Sequence, residues 1–178
     1  MWWHLRRGTL AALLLVFTCH GTWAIERADE NEIKAAVIYN LLLFVQWPEQ
    51  TAAAGAFRFC VLDEGALTTA LRAYERKTLQ GRALEIHRIG RGEEELDTCG
   101  AVMVEAGSTG VLTRLAVAAR SRRLLVIAEG KGAAERGAMI GLHTDGGRVS
   151  FDINYGVMKR SGLVPSSKIL RLARTLIE

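Results

Sequence analysis

Two stretches, Ala101–Val104 (AVMV) and Leu124–Ala128 (LLVIA), are apolar at every position. A strand with one face in water alternates apolar and polar residues, so unbroken runs this short point to strands covered on both faces. Between them Leu112, Leu115 and Ala119 recur at helical spacing behind Gly107-Ser108, with Ser108 suited to cap the helix. Upstream, Phe57–Leu62 (FRFCVL) reads as a strand, followed by a helix through Leu67, Ala70, Leu71 and Tyr74. Arg82–Ile89 (RALEIHRI) then alternates as a strand does. The rhythm strand, helix, strand, strand, helix, strand predicts a mostly parallel, Rossmann-like α/β sheet flanked by helices. Downstream, Met139–Thr144 and Arg148–Ile153 flank Asp145-Gly146-Gly147, a hairpin signal. A last helix is expected from about Ser166 to Ile177. Ile169, Leu172, Ala173 and Leu176 would lie on one side, with Lys168, Arg171 and Arg174 on a solvated face.

The first residues are set apart from this domain. Arg6 and Arg7, an apolar run over Thr9–Phe17 and small residues at Thr22 and Ala24 form the pattern of a secretory signal. The expected boundaries are 1–24 for a cleaved signal peptide and 25–178 for one exported domain. Without Arg6 and Arg7, the formal net charge falls from +4 to +2. That balance gives no nucleic-acid footprint. Cys19 leaves with the signal, and Cys60 and Cys99 remain as a disulfide candidate or as two buried free thiols.

The stretch Lys34–Pro48 (KAAVIYNLLLFVQWP) is nearly all apolar from Ala35 to Val45, broken by Asn40. It is too short to span a bilayer, which needs about 20 residues. Asp29 with Glu32 suggests an N-cap, and Ile33, Val37, Leu41, Phe44 and Val45 form a helical stripe. Ile38 and Leu42 lie off that stripe, so the helix packs inside the domain or against a second surface.

Catalytic patterns are missing from the sequence. EGKGAAERG at 129–137 stops short of a phosphate loop, and AGSTG at 106–110 lacks the spacing of a nucleophile elbow. His87 and His143 fall in different expected strands with no ligand-like companion nearby. Glu93-Glu94-Glu95 with Asp97 reads as a solvated loop. No enzyme activity, metal or cofactor is expected.

Two segments together resemble the YfiR family of periplasmic regulators. KAAVIYNLLLFVQWP is similar to the family's N-terminal signature, and VSFDINYGVMKRSGLVPSSKILRLA at 149–173 to its C-terminal one. The chain departs from the usual pattern at Gly137-Ala138, Tyr155–Met158 and Val164-Pro165. The resemblance implies a periplasmic α/β domain that binds and inhibits the sensor domain of an inner-membrane diguanylate cyclase, in cyclic di-GMP control of biofilm and motility. It implies an outer-membrane lipoprotein as a further partner. Coupling to a sensor kinase as a small-ligand sensor is the alternative, and homodimerisation is left open. With the strand order of a doubly wound sheet, Cys60 and Cys99 come from neighbouring positions; a Cys60–Cys99 disulfide is expected, with the resemblance in support. Partner binding is expected at Val157, Met158, Arg160, Leu163 and Val164, where apolar groups lack an evident element to bury them.

Overall fold

A computed structural model describes residues 22–47, 55–90, 92, 94–107 and 109–178, with backbone alone for 22–29 and 109. Most of the expected signal peptide, Pro48, Glu93 and the Ser108 cap lie outside the described residues. Helix α1 (Thr22–Leu43) leads into β1 (Val45–Gln46), and β2 (Phe57–Val61) is followed by α2 (Ala66–Leu71). Then come β3 (Thr78–Leu79), β4 (Arg82–Arg88), β5 (Ala101–Val104), α3 (Leu112–Arg122) and β6 (Leu125–Glu129). The hairpin β7 (Ile140–Asp145) and β8 (Arg148–Asn154) precedes α4 (Tyr155–Arg160), β9 (Val164–Pro165), α5 (Ser167–Leu172) and β10 (Thr175–Ile177).

Eight strands form one sheet in the order β10-β8-β7-β6-β5-β2-β4-β3. Its centre, β4-β2-β5-β6-β7, is parallel throughout. The β5 and β6 strands are buried at every position except Glu129, as their unbroken apolar runs require. The β7–β8 hairpin turns on Gly146 and Gly147, both at positive φ (+56° and +75°), the geometry a two-residue hairpin demands.

Two expectations are corrected. Helix α1 begins at Thr22, so Asp29 sits inside it and is no N-cap; residues 22–28 contain neither Gly nor Pro to stop it. Its buried apolar side is Ala35, Ile38, Leu41 and Leu42, whereas Ile33 is 52% exposed. Ile38 and Leu42, off the expected stripe, are therefore the inner face. The second correction is at the C-terminus, where α5 stops at Leu172 and Ala173 turns extended. Thr175–Ile177 then adds to β8 as a parallel strand. Six helical residues gain little on their own, and a β-branched end beside an unfilled sheet edge gains a hydrogen-bonded ladder.

Candidate functional site

In open parallel sheets, ligands bind beyond the C-terminal ends of the strands, where neighbouring connections diverge. Here that place lies between β2 and β5. Directly after β5, the Glu105 carboxylate accepts from the Gly65 and Thr68 backbone N–H groups at 3.1 and 2.8 Å. The Thr68 hydroxyl lies 2.6 Å from the same oxygen. Gly65 is required for this fit, since a Cβ there would sit 1.8 Å from Glu105 Oε2. The donors that a phosphate would use at the start of α2 are taken by the protein's own carboxylate.

The next strand ends the same way. Glu129 closes β6, accepts from the Ala106 N–H at 3.1 Å and meets Lys34 Nζ at 2.6 Å. Lys34 also pairs with Glu30 at 2.5 Å, one turn back along α1, and Glu30 accepts from the Thr144 hydroxyl at 2.7 Å. The Lys34 side chain is 7% exposed. Burial disfavours its charge, but the hydrogen bonds and charges of Glu129 and Glu30 outweigh that and hold its pKa above the usual 10.5. The signature lysine thus locks α1 over the sheet end, its own charge taken up by two carboxylates. In the sequence AVMVE and LLVIAE are two apolar strands, each finished by a glutamate, but that pattern alone does not name the partners of either carboxylate.

The two signature segments meet on one surface. β1 pairs antiparallel with β9, Val45 opposite Pro165 and Gln46 opposite Val164. The Ser166 N–H donates to the Phe44 carbonyl at 2.9 Å, and Lys168 Nζ stands 4.6 Å from the Phe44 ring centre. Just beyond, the Trp47 indole N–H donates to the Gly100 carbonyl at 3.1 Å, and its ring packs edge-on against Phe57 at 5.0 Å. Gly100 adjoins Cys99, which forms a disulfide with Cys60 (Cα–Cα 5.9 Å). One contiguous path joins the disulfide, the tryptophan and the β1–β9 ribbon.

Of the residues expected to contact a partner, three are in the core. Val157, Met158 and Leu163 are 6%, 0% and 1% exposed. Asn154 explains the first two: its side chain accepts from the Val157 N–H at 3.0 Å and starts α4, which buries Val157 and Met158, while Leu163 follows the helix with its N–H donating to the Met158 carbonyl at 3.0 Å. Arg160 is exposed, and Val164 is 55% exposed on the ribbon. Sequence reasoning missed the exposed apolar residues Ile33, Val117, Leu172 and Leu176. His87 faces Glu85 at 3.0 Å on the partly open face of β4, whereas buried His143 lies 3.4 Å from Asp152 and 3.1 Å from Arg174 Nη1. Among the described residues, no group of His, Cys, Asp and Glu could hold a metal ion, and no helix is long and apolar enough to cross a membrane.

Solved structures share the architecture. A conserved domain protein from Vibrio cholerae O1 biovar El Tor superimposes with a TM-score of 0.55 at 15% identity, over 82% of this chain and 60% of the other. The ABC domain in complex with L-Trp from Streptococcus pneumonia gives 0.53 at 10% identity, over 83% and 60%. The chain therefore spans 60% of the length of both, and the likeness is one of fold. A family model described as YfiR/HmsC-like matches residues 31–174, from before the buried lysine of α1 to the residue preceding β10. The chain belongs to the YfiR/HmsC-like family.

Proposed function

We propose that this protein is exported through a cleaved signal ending near Ala24. We further propose that it binds the periplasmic sensor domain of an inner-membrane diguanylate cyclase and restrains it. The observation that carries this reading is the convergence of both signature segments on the exposed β1–β9 ribbon, within a chain matched by the family model over residues 31–174. Val164 and Gln46 stand exposed there, with Phe44 half-buried beside Lys168. An apolar group rimmed by charge is the composition of a contact surface. Arg160 is part of the same proposal, and an outer-membrane lipoprotein competing for the regulator is its extension.

The filled crevice at Glu105 supports a protein-binding regulator over the small-ligand sensor, whose site would lie there. A non-catalytic role accords with the family.

Tagged protein recovered from detergent-solubilised inner membranes should carry a cyclase with a periplasmic domain. Val164→Glu should abolish that recovery and raise cellular cyclic di-GMP while leaving the melting temperature unchanged. Equal recovery by the wild type and Val164→Glu would place the contact off the ribbon, and recovery of no membrane receptor would sink the reading.

A further inference from the structure

A buried histidine lies on the face of the β7–β8 hairpin turned away from α1. The Thr144 hydroxyl donates to Glu30 of α1, so the neighbouring His143 points to the other side of the sheet. His143 stands opposite Ser150 and Gly141 opposite Asp152, which puts His143 and Asp152 on one face. Both are buried, at 3% and 5% exposure. Arg174 reaches them from the start of β10, its Nη1 3.1 Å from His143 Nε2 and 2.9 Å from an Asp145 carboxylate oxygen. On the other side of the ring, His143 Nδ1 is 3.4 Å from Asp152 Oδ2. Neither Nδ1 nor Asp152 Oδ1 has a hydrogen-bond partner among the described residues. The other charged groups nearby are Arg148 of the hairpin, Glu135 and Arg136 of the turn before β7, Lys159 and Arg160 of α4, and the terminal Glu178. All of these are exposed, and none bonds to the imidazole.

A guanidinium only donates, so His143 Nε2 must accept and carries no proton while Arg174 is bound. The neutral ring therefore keeps its hydrogen on Nδ1, toward Asp152. A second proton, on Nε2, would set donor against donor and cation against cation. The charged ring already has Asp152 beside it, and Arg174 already has Asp145, so each can part from the other without losing every partner. We propose that His143 is an acid-operated pin on the C-terminal strand. Neutral, it fastens Arg174 and with it the start of β10; protonated, it turns to Asp152 and releases the arginine. Release acts on the strand because the Arg174 N–H begins the ladder, donating to the Phe151 carbonyl at 2.9 Å, and β10 is three residues long. Backbone groups alternate along a strand, so the Leu176 N–H faces β8 as the Arg174 N–H does. Imidazole ordinarily changes charge between about pH 5 and 8, which sets the range of the test.

Nitrogen-15 NMR of the imidazoles at about pH 8 should show His143 as the Nδ1–H tautomer. Amide hydrogen exchange, corrected for intrinsic rates, should find Arg174 and Leu176 about tenfold less protected near pH 5 than near pH 8, the loss expected when one charge-assisted hydrogen bond is given up. His143→Gln keeps an acceptor for Arg174 at every pH, so its protection should stay level across that range. Asp152→Asn removes the anion that receives the charged ring and should move the transition to lower pH. An Nε2–H tautomer at pH 8, level protection in the wild type, an equal loss in His143→Gln or an unmoved transition in Asp152→Asn would each overturn the proposal. The first two readings are made on the wild type and depend on no variant folding.

Discussion

Lys34 holds the end of β6 to α1 through two carboxylates, so its removal leaves buried negative charge facing itself. Lys34→Met should lower stability by about 3 kcal/mol, measured by urea denaturation. The pH dependence follows from the raised pKa. A lysine held charged in the folded state contributes fully below its unfolded pKa of about 10.4, and the contribution fades as pH rises through the higher folded value. The gap between wild type and Lys34→Met should stay level from neutral pH to about pH 10 and close above it; a gap that closes on acidification alone would contradict the assignment. Glu105 is a second single-residue test. Glu105→Ala orphans the N–H groups of Gly65 and Thr68 and should cost about 2 kcal/mol, while Glu105→Gln should recover part of that through its amide oxygen. Neither role was legible in the sequence, because a glutamate after an apolar strand reads equally as a solvated loop. Only the fold brings Gly65, Thr68 and Lys34 to it.

At the scale of elements, periodicity worked where burial is two-sided and failed where an element is short. AVMV and LLVIA were legible as central strands, and Gly146-Gly147 as a hairpin turn, because those patterns have one good structural solution. The last dozen residues were not, since Ile169, Leu172, Ala173 and Leu176 satisfy a helical stripe on paper. The sheet edge at β8, invisible locally, takes Thr175–Ile177 as a strand. The same blindness misplaced Val157, Met158 and Leu163; the burial of the first two depends on α4 being started by the Asn154 side chain. That difference is measurable. Met158→Glu puts a charge at a fully buried position and should unfold the protein, by about 4 kcal/mol or more. Val164→Glu on the exposed β9 should shift stability by no more than about 0.5 kcal/mol. Thermal melts of the two variants side by side would show whether α4 is core and β9 surface, and similar losses in both would deny the distinction.

Across the whole molecule, the Cys60–Cys99 disulfide does more than join neighbouring strands. It closes a loop spanning a sequence separation of 39 that contains β2's end, α2, β3 and β4, one flank of the sheet. Removing a bridge around a loop of that length should cost about 4 kcal/mol through the entropy of the unfolded chain. That is a large share of the roughly 5–15 kcal/mol that holds a domain folded. Cys99 is also next to Gly100, whose carbonyl accepts from the Trp47 indole and whose missing Cβ admits the Phe57 ring, 2.5 Å from where that carbon would stand. Trp47 follows β1, and β1 pairs with β9, so the bridge supports the ribbon proposed as the partner surface. The double variant Cys60→Ala/Cys99→Ala should therefore melt well below the wild type and change its tryptophan emission before global unfolding, as the ring loses its fixed carbonyl partner. Reductant should shift the wild type toward the variant and leave the variant unmoved. A variant with the wild-type melting temperature would show that the flank is held by packing alone, and unaltered emission would show that Trp47 stands independently of the bridge.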